Sequence, residues 1–188
     1  IFFDQMGPAE FLTGQGIDVR PHPHIGLSTV TYLLQGQMHH RDSIGSNAVI
    51  GTGEVAVMQS GIGITHSERS TNRDRAQSMF GLQTWLALSD EDAAPSYHQT
   101  ADLPHLSAHG IDLRLILGRA WGQVAATPLQ SETFYADVTL APGAALPLPD
   151  DHEDRGIYVL TGSVIDGPQT YTAGAMLIYR PGDRISVR

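Results

Sequence analysis

Arg20-Pro21-His22-Pro23-His24-Ile25-Gly26, answered further along by Gly63-Ile64-Thr65-His66-Ser67-Glu68, is the pair of segments from which the fold is read. In an extended strand, residues i and i+2 point to the same face. His22 and His24 therefore present two imidazoles on one side of their strand. His66 and Glu68 present an imidazole and a carboxylate on one side of theirs. Pro23 falls on the opposite face, and a residue without an amide hydrogen suits an edge or a bulge. If the two strands face each other across a barrel, His22, His24, His66 and Glu68 converge as three nitrogens and one oxygen, the ligand set of a single mononuclear metal site.

The surrounding sequence is strand-like. Ile17 to Arg20 alternates apolar and polar residues, and Leu27 to Leu34 is rich in β-branched and aromatic ones. Glu54 to Met58 and Ala175 to Tyr179 read as buried strands. Glycines punctuate these runs, and no 12-residue stretch keeps a helical period. Short, regularly spaced strands predict an all-β sandwich or barrel.

The chain also repeats itself. Gly16 precedes His22 by six residues and His24 by eight; Gly143 stands at the same distances before Pro149 and Asp151. Tyr32-Leu33-Leu34-Gln35-Gly36 matches Tyr158-Val159-Leu160-Thr161-Gly162 in character. Two copies of one barrel are expected: residues 1–98 as the metal-binding N-terminal barrel, 99–110 as a linker, and 111–188 as a C-terminal barrel. In the second copy Pro149 and Asp151 replace His22 and His24, and Val187 takes the place of His66. That copy should be metal-free and structural.

Composition narrows the function. The chain has 188 residues, a net charge of -9, no cysteine and no lysine, all 11 basic residues being arginine. Thiolate sites, disulfides, a lysine Schiff base and a P-loop are excluded. The acidic balance argues against direct nucleic-acid binding. No apolar run is long enough to span a membrane. The absence of cysteine fits a reducing, cytoplasmic compartment. The chain opens on Ile1-Phe2-Phe3 without a methionine, and is expected to be the ordered part of a longer protein.

A site of imidazole and carboxylate suits one divalent first-row transition metal, iron(II) first, with manganese, cobalt, nickel, copper or zinc as alternatives. Four protein ligands leave positions open for substrate, unlike a closed structural zinc. Because the imidazoles must be neutral to bind, protons should compete as pH drops through about 6.5.

Other residues have plainer readings. His40, with Asp42 two residues on, either orients a ligand imidazole or is an ordinary strand-end residue beside His39. His98, His105, His109 and His152 lie in loop-like sequence and are expected in solvent. Arg69, Arg73 and Arg75, near Asp74, look like a salt-bridged surface loop. Met58 and Trp85 read as core, and Phe11 either covers the pocket mouth or packs inside.

The motifs also carry a resemblance. Arg20 to Gly26, Thr29 to Gly36, His40-Arg41-Asp42-Ser43-Ile44-Gly45, Met58 to Glu68 and Gly81-Leu82-Gln83-Thr84-Trp85 resemble the pirin family of the cupin superfamily. The likeness continues more faintly through Leu140 to Ala144 and Tyr158 to Gly162. It implies a bicupin, two jelly-roll barrels packed together, with an iron-type metal in the first barrel only and His22, His24, His66 and Glu68 as ligands. Family members extend further on both sides, so the second barrel should be incomplete in this chain. The resemblance implies an oxidoreductase of the quercetin 2,3-dioxygenase kind, a quercetinase cleaving flavonols with O2 and releasing carbon monoxide. Glu68 would then be the catalytic residue that takes the flavonol proton. It equally implies a non-enzymatic, redox-dependent regulator with a transcription factor or metabolic enzyme as protein partner; an isomerase is the third reading. Eukaryotic members tend to carry Arg where this chain has Ile25, so their regulatory surface does not transfer directly.

Overall fold

β-Branched and aromatic runs separated by glycine turns produce strands throughout. The structure, a computed structural model, describes residues 2–89 and 92–188; Ile1, Asp90 and Glu91 of the expected first barrel lie outside the described residues. Among the described residues there is no helix, and so none long and apolar enough to cross a membrane. The first nine strands are β1 (Phe2–Phe11), β2 (Asp18–His24), β3 (Leu27–Gln35), β4 (Met38–Asp42), β5 (Asn47–Ile50), β6 (Val55–Gln59), β7 (Ile64–Ser70), β8 (Gln77–Ala87) and β9 (Ser96–Thr100). The remainder are β10 (His105–Ala108), β11 (Ile111–Ala120), β12 (Gln123–Val124), β13 (Phe134–Leu140), β14 (Leu146–Pro147), β15 (Arg155–Tyr158), β16 (Ser163–Asp166), β17 (Gln169–Thr172), β18 (Met176–Tyr179) and β19 (Ser186–Val187).

Two compact units result. One runs to Leu103 and takes in Ala126–Glu132; the other comprises Pro104–Ala125 and Thr133–Arg188. Residues 99–110, expected as a linker, are partly strand. They supply the end of β9 and all of β10, whose backbone pairs with β11, His105 opposite Arg114 through Ala108 opposite Ile111. Asp102, Pro104, His105 and His109 made the stretch look loop-like and hid a short strand.

The first unit is two antiparallel sheets, β1-β8-β3-β6-β9 and β2-β7-β4-β5. β3 lies at the centre of the larger sheet, with Val30, Tyr32 and Leu33 fully buried and Thr29 and Thr31 buried between them. Side chains of the two sheets meet in the interior: Tyr97 of β9 stacks on His40 of β4, and Trp85 of β8 meets His24 of β2 edge-on. This is the jelly-roll arrangement expected.

The second unit repeats the pairings in shorter form. β15 with β18 corresponds to β3 with β6, β16 with β17 to β4 with β5, and β14 with β19 to β2 with β7. In the first unit His66 opposes His22, but in the second Val187 opposes Leu146, not Pro149. Glycine spacing therefore misaligned the copies. Val187 and Leu146 are buried with Leu113, Leu115 and Ile185 in an apolar core, while Asp151 is exposed.

Candidate metal centre

The ladder β2-β7-β4 brings the polar residues to one face. His66 lies opposite His22 on one side and Asp42 on the other, and Glu68 lies opposite His40. Directly opposed residues share a face. The pairing also needs a β-bulge. Val19 pairs with Glu68, and an unbroken ladder from there would set His22 against Thr65 and turn it outward. The register shift between Val19 and His22 absorbs one residue and points His22 inward.

Three of the four expected ligands come together. His22, His24 and His66 each offer a ring nitrogen within 4.8 Å of the others. The Nε2 atoms of His24 and His66 are 3.1 Å apart. Two ligands at right angles on one ion, each with a bond of about 2.1 Å, sit roughly 3.0 Å apart, so the spacing fits a shared ion. His22 Nδ1 donates to the Arg20 carbonyl at 2.9 Å, which fixes its tautomer and leaves Nε2 with a free lone pair.

Burial disfavours the charged form of His24 and His66. It pushes the pKa of His24 down, helped by His22. His66 is pushed down to about 3, by burial first and then by its histidine neighbours. The window of proton competition expected from free imidazole therefore moves well down for His66. Its Nδ1 is buried and finds no hydrogen-bond partner among the described residues.

Glu68 stands apart from the His22–His24 pair. It is 6% exposed and groups with His66 and His40. Burial raises its pKa, partly opposed by Gln83 and His22. Gln83 Nε2 donates to Glu68 Oε1 at 2.9 Å and faces Thr31 Oγ1 at 3.3 Å. Gln83 is the supporting residue that the i, i+2 pattern could not reveal; its only signal was its place in the Gly81-to-Trp85 motif.

His40 is no ordinary strand-end residue. It is 2% exposed, its Nε2 lies 3.0 Å from Asp42 Oδ2, and its ring stacks on Tyr97 at 4.5 Å. Asp42 is itself anchored, its Oδ1 accepting the backbone amides of Ile44 at 3.1 Å and Ser46 at 2.8 Å. Burial would raise the Asp42 pKa, but the bonds from Ser46 and His40 outweigh it and the net shift is downward.

Several plainer readings change. Trp85 borders the imidazoles, its ring 5.2 Å from that of His24. Phe11 sits at the far end of β1, opposite Gln77, and Phe2 is the β1 aromatic that stacks on Trp85. His105 and His109 are exposed as expected, but His98 lies in β9 with a buried Nε2, and His152 bonds the Arg119 carbonyl. Arg69 and Arg73 pair with Asp18, not Asp74. Beside His24 is an open concavity of about 370 Å³, lined by Pro23, Ile25, Ser43, Ile64 and Thr65. Ile25 and Ile62 are 70% and 62% exposed.

Comparison with known proteins agrees with this architecture. Residues 1–86 match the family model described as Pirin. A pirin-like protein of Caulobacter vibrioides is 43% identical, the match covering 98% of this chain and 67% of the relative. A Pseudomonas aeruginosa relative, named provisionally as a quercetin 2,3-dioxygenase, is 37% identical over 93% of this chain and 56% of its own length. The chain thus spans between about half and two thirds of these relatives. The crystal structure of a quercetin 2,3-dioxygenase from Acinetobacter baumannii superimposes with a TM-score of 0.90 at 30% identity, covering 99% of this chain and 63% of that one. The strand pattern, the inward His and Glu residues and the sequence matches lead to one conclusion: the chain belongs to the pirin family.

Proposed function

We propose that this chain is the metal-binding part of a flavonol-cleaving oxygenase of the quercetin 2,3-dioxygenase kind, with His22, His24 and His66 as ligands and Glu68 as the carboxylate that completes the site and accepts the substrate proton. The observation that carries the reading is the convergence of three imidazoles in the barrel that also buries Glu68. A bound divalent ion, iron(II) first, would supply a Lewis acid that holds a deprotonated flavonol beside dioxygen. Glu68 is suited to take the flavonol 3-hydroxyl proton, because burial makes it a stronger base than a solvated carboxylate. Gln83 holds that carboxylate in place. The apolar residues Ile25 and Ile64, which line the concavity beside His24, suit a flat aromatic substrate. The activities named for the Pseudomonas and Acinetobacter relatives point the same way.

The test is oxygen uptake with quercetin after anaerobic metal loading, with metal content measured on the same sample. Glu68→Gln keeps the shape but cannot accept the proton. If Glu68 is the base, turnover per bound metal should fall by about 10² to 10⁴. If it is only a ligand, remaining activity should track remaining metal. Metal-replete protein that consumes no oxygen with any of several flavonols refutes the oxygenase reading. The exposed Ile25 favours one second reading, a regulator that binds a protein partner beside the concavity. A pull-down whose yield depends on the metal oxidation state, and is lost in Ile25→Glu, supports it.

A further inference from the structure

We propose that the outer face of the sheet β2-β7-β4-β5 is a docking surface for an acidic segment of a partner protein, with Arg20 and Arg41 as its anchors. None of its residues is an expected metal ligand. Side chains alternate across a strand, so the strands that turn His22, His66 and Glu68 inward turn a second set out. Asp18 and Arg69 form one outward pair. Ser67 follows, opposite Arg41 on one side and the bulge that holds Arg20 and Pro21 on the other. Pro23 and Thr65 form the next pair. His39, opposite Arg69, and Val49, opposite His39, carry the face across β4 and β5.

The charge of this face is opposite to that of the chain. Among the described residues, the outward positions of the four strands hold three arginines, Arg20, Arg41 and Arg69, against one carboxylate, Asp18, in a chain of net charge -9. Asp18 is already shared between Arg69 at 3.1 Å and Arg73 at 3.5 Å. Arg20 and Arg41 are exposed and have no ion-pair partner among the described residues. They flank Ser67, whose small side chain is 8% exposed and forms a floor between them. With β7 between β2 and β4, strands about 4.8 Å apart set the two backbones roughly 10 Å apart. Both guanidinium groups can then reach neighbouring carboxylates of one bound segment. Arg41 is oriented by Asn47, whose Oδ1 accepts its Nε at 3.4 Å.

Apolar side chains among the arginines favour a peptide over a bare phosphate. Pro21 and Pro23 are exposed, and Val49 is 45% exposed. A planar guanidinium takes a carboxylate through two parallel hydrogen bonds, while the prolines and the valine cover aliphatic neighbours of that carboxylate. A nucleic acid would bring a long run of phosphates toward a chain that repels them as a whole. The two prolines also remove backbone donors from β2, an edge strand of this sheet. The partner is therefore held on the face by side chains rather than added as a further strand.

The experiment is fluorescence anisotropy with a dye-labelled peptide of glutamate, leucine and glycine, about eight residues long, enough to cross the face at about 3.4 Å per residue. The wild-type chain should bind it, less tightly as added salt screens the charges. Arg20→Glu/Arg41→Glu, checked for folding by circular dichroism, should weaken binding at least about 10-fold, since like charges then face each other. Arg20→Ala/Arg41→Ala takes its place if the reversed pair does not fold. Arg180→Glu/Arg184→Glu makes the same charge change at exposed positions of the second unit and should leave binding unchanged. A wild-type chain that ignores the peptide, a folded Arg20→Glu/Arg41→Glu protein that binds as wild type does, or an equal loss in Arg180→Glu/Arg184→Glu overturns the docking surface. A dye-labelled single-stranded oligonucleotide of equal charge that binds more tightly than the peptide, through the same two arginines, overturns the assignment to a protein partner.

Discussion

Gln83 decides how the most chemically loaded side chain of the barrel is held. Its amide is the donor to Glu68 Oε1, and Glu68 has almost no contact with solvent. Gln83→Leu fills the same space without the donor. A buried group that loses its partner costs about 1–3 kcal/mol, so chemical denaturation should show a loss on that scale, and Glu68 should become still harder to ionise. An unchanged midpoint would mean that the bond contributes nothing. The histidines make a second prediction. The folded-state pKa of His66 is about 3, against about 6.5 for a free imidazole. Between those values the unfolded chain binds a proton that the folded chain refuses. Metal-free protein should therefore lose stability as pH falls from about 6.5 toward 3, by up to roughly 1.4 kcal/mol per pH unit for this one group. Glu68, shifted upward, works the other way: its protonation favours the fold at low pH and that contribution is lost as pH rises through its folded pKa. His66→Leu should flatten the histidine part of the profile, measured as urea midpoint against pH; equal slopes in both proteins would contradict a buried neutral His66.

Among the elements, β8 is the one that fixes how closely the sheet behind the site is packed. Gly81 sits where β8 crosses Leu33 of β3, and a Cβ there would come 2.6 Å from Leu33 Cδ2 and 2.8 Å from the Tyr32 carbonyl. Gly81→Val must push β8 away from the central strand. Overpacking of this kind costs about 1–3 kcal/mol, and because Gln83 and Trp85 ride on the same strand, metal retention should fall along with thermal stability. Gly81→Val protein with wild-type melting and metal content would show that the strand has room. The bulge in β2 is equally local: it lets Asp18 keep its place opposite Arg69 while His22 turns to meet His66. Pro21 and Pro23 hinted at such an irregularity, but only the ladder shows where the register shifts.

Over the whole molecule, the repeat has been put to two uses. The first unit lines its interior with His22, His24, His40, His66 and Glu68; the equivalent ladder of the second is closed by Leu146, Ile185 and Val187. Elemental analysis should accordingly find about one first-row metal ion per chain, since ligands must be preformed by folding. His66→Ala, which removes the histidine that groups with His22 and His24, should strip most of it. Asp151→Ala, in an exposed loop of the second unit, should retain it. Two ions per chain, or a His66→Ala protein that keeps its full complement, would refute a single site in the first unit.

The all-β class, the duplicated barrel and the inward histidines were legible in the sequence because each depends on local periodicity: i, i+2 spacing, glycine punctuation and β-branched runs act over a few residues. The pirin resemblance was legible too, because its motifs are contiguous. What tertiary structure alone decided lies between strands. Whether His40 is surface or interior, whether Glu68 reaches the His22–His24 pair, which amide holds Glu68, and whether Phe2 or Phe11 approaches Trp85 are set by register and by the facing sheet. The same holds for the true partner of Val187. A bulge moves the register by one residue, and with a period of two that reverses every side chain beyond it. Side-chain periodicity is written into the chain, but the partner each side chain meets is chosen by hydrogen-bonded pairing between segments far apart in sequence.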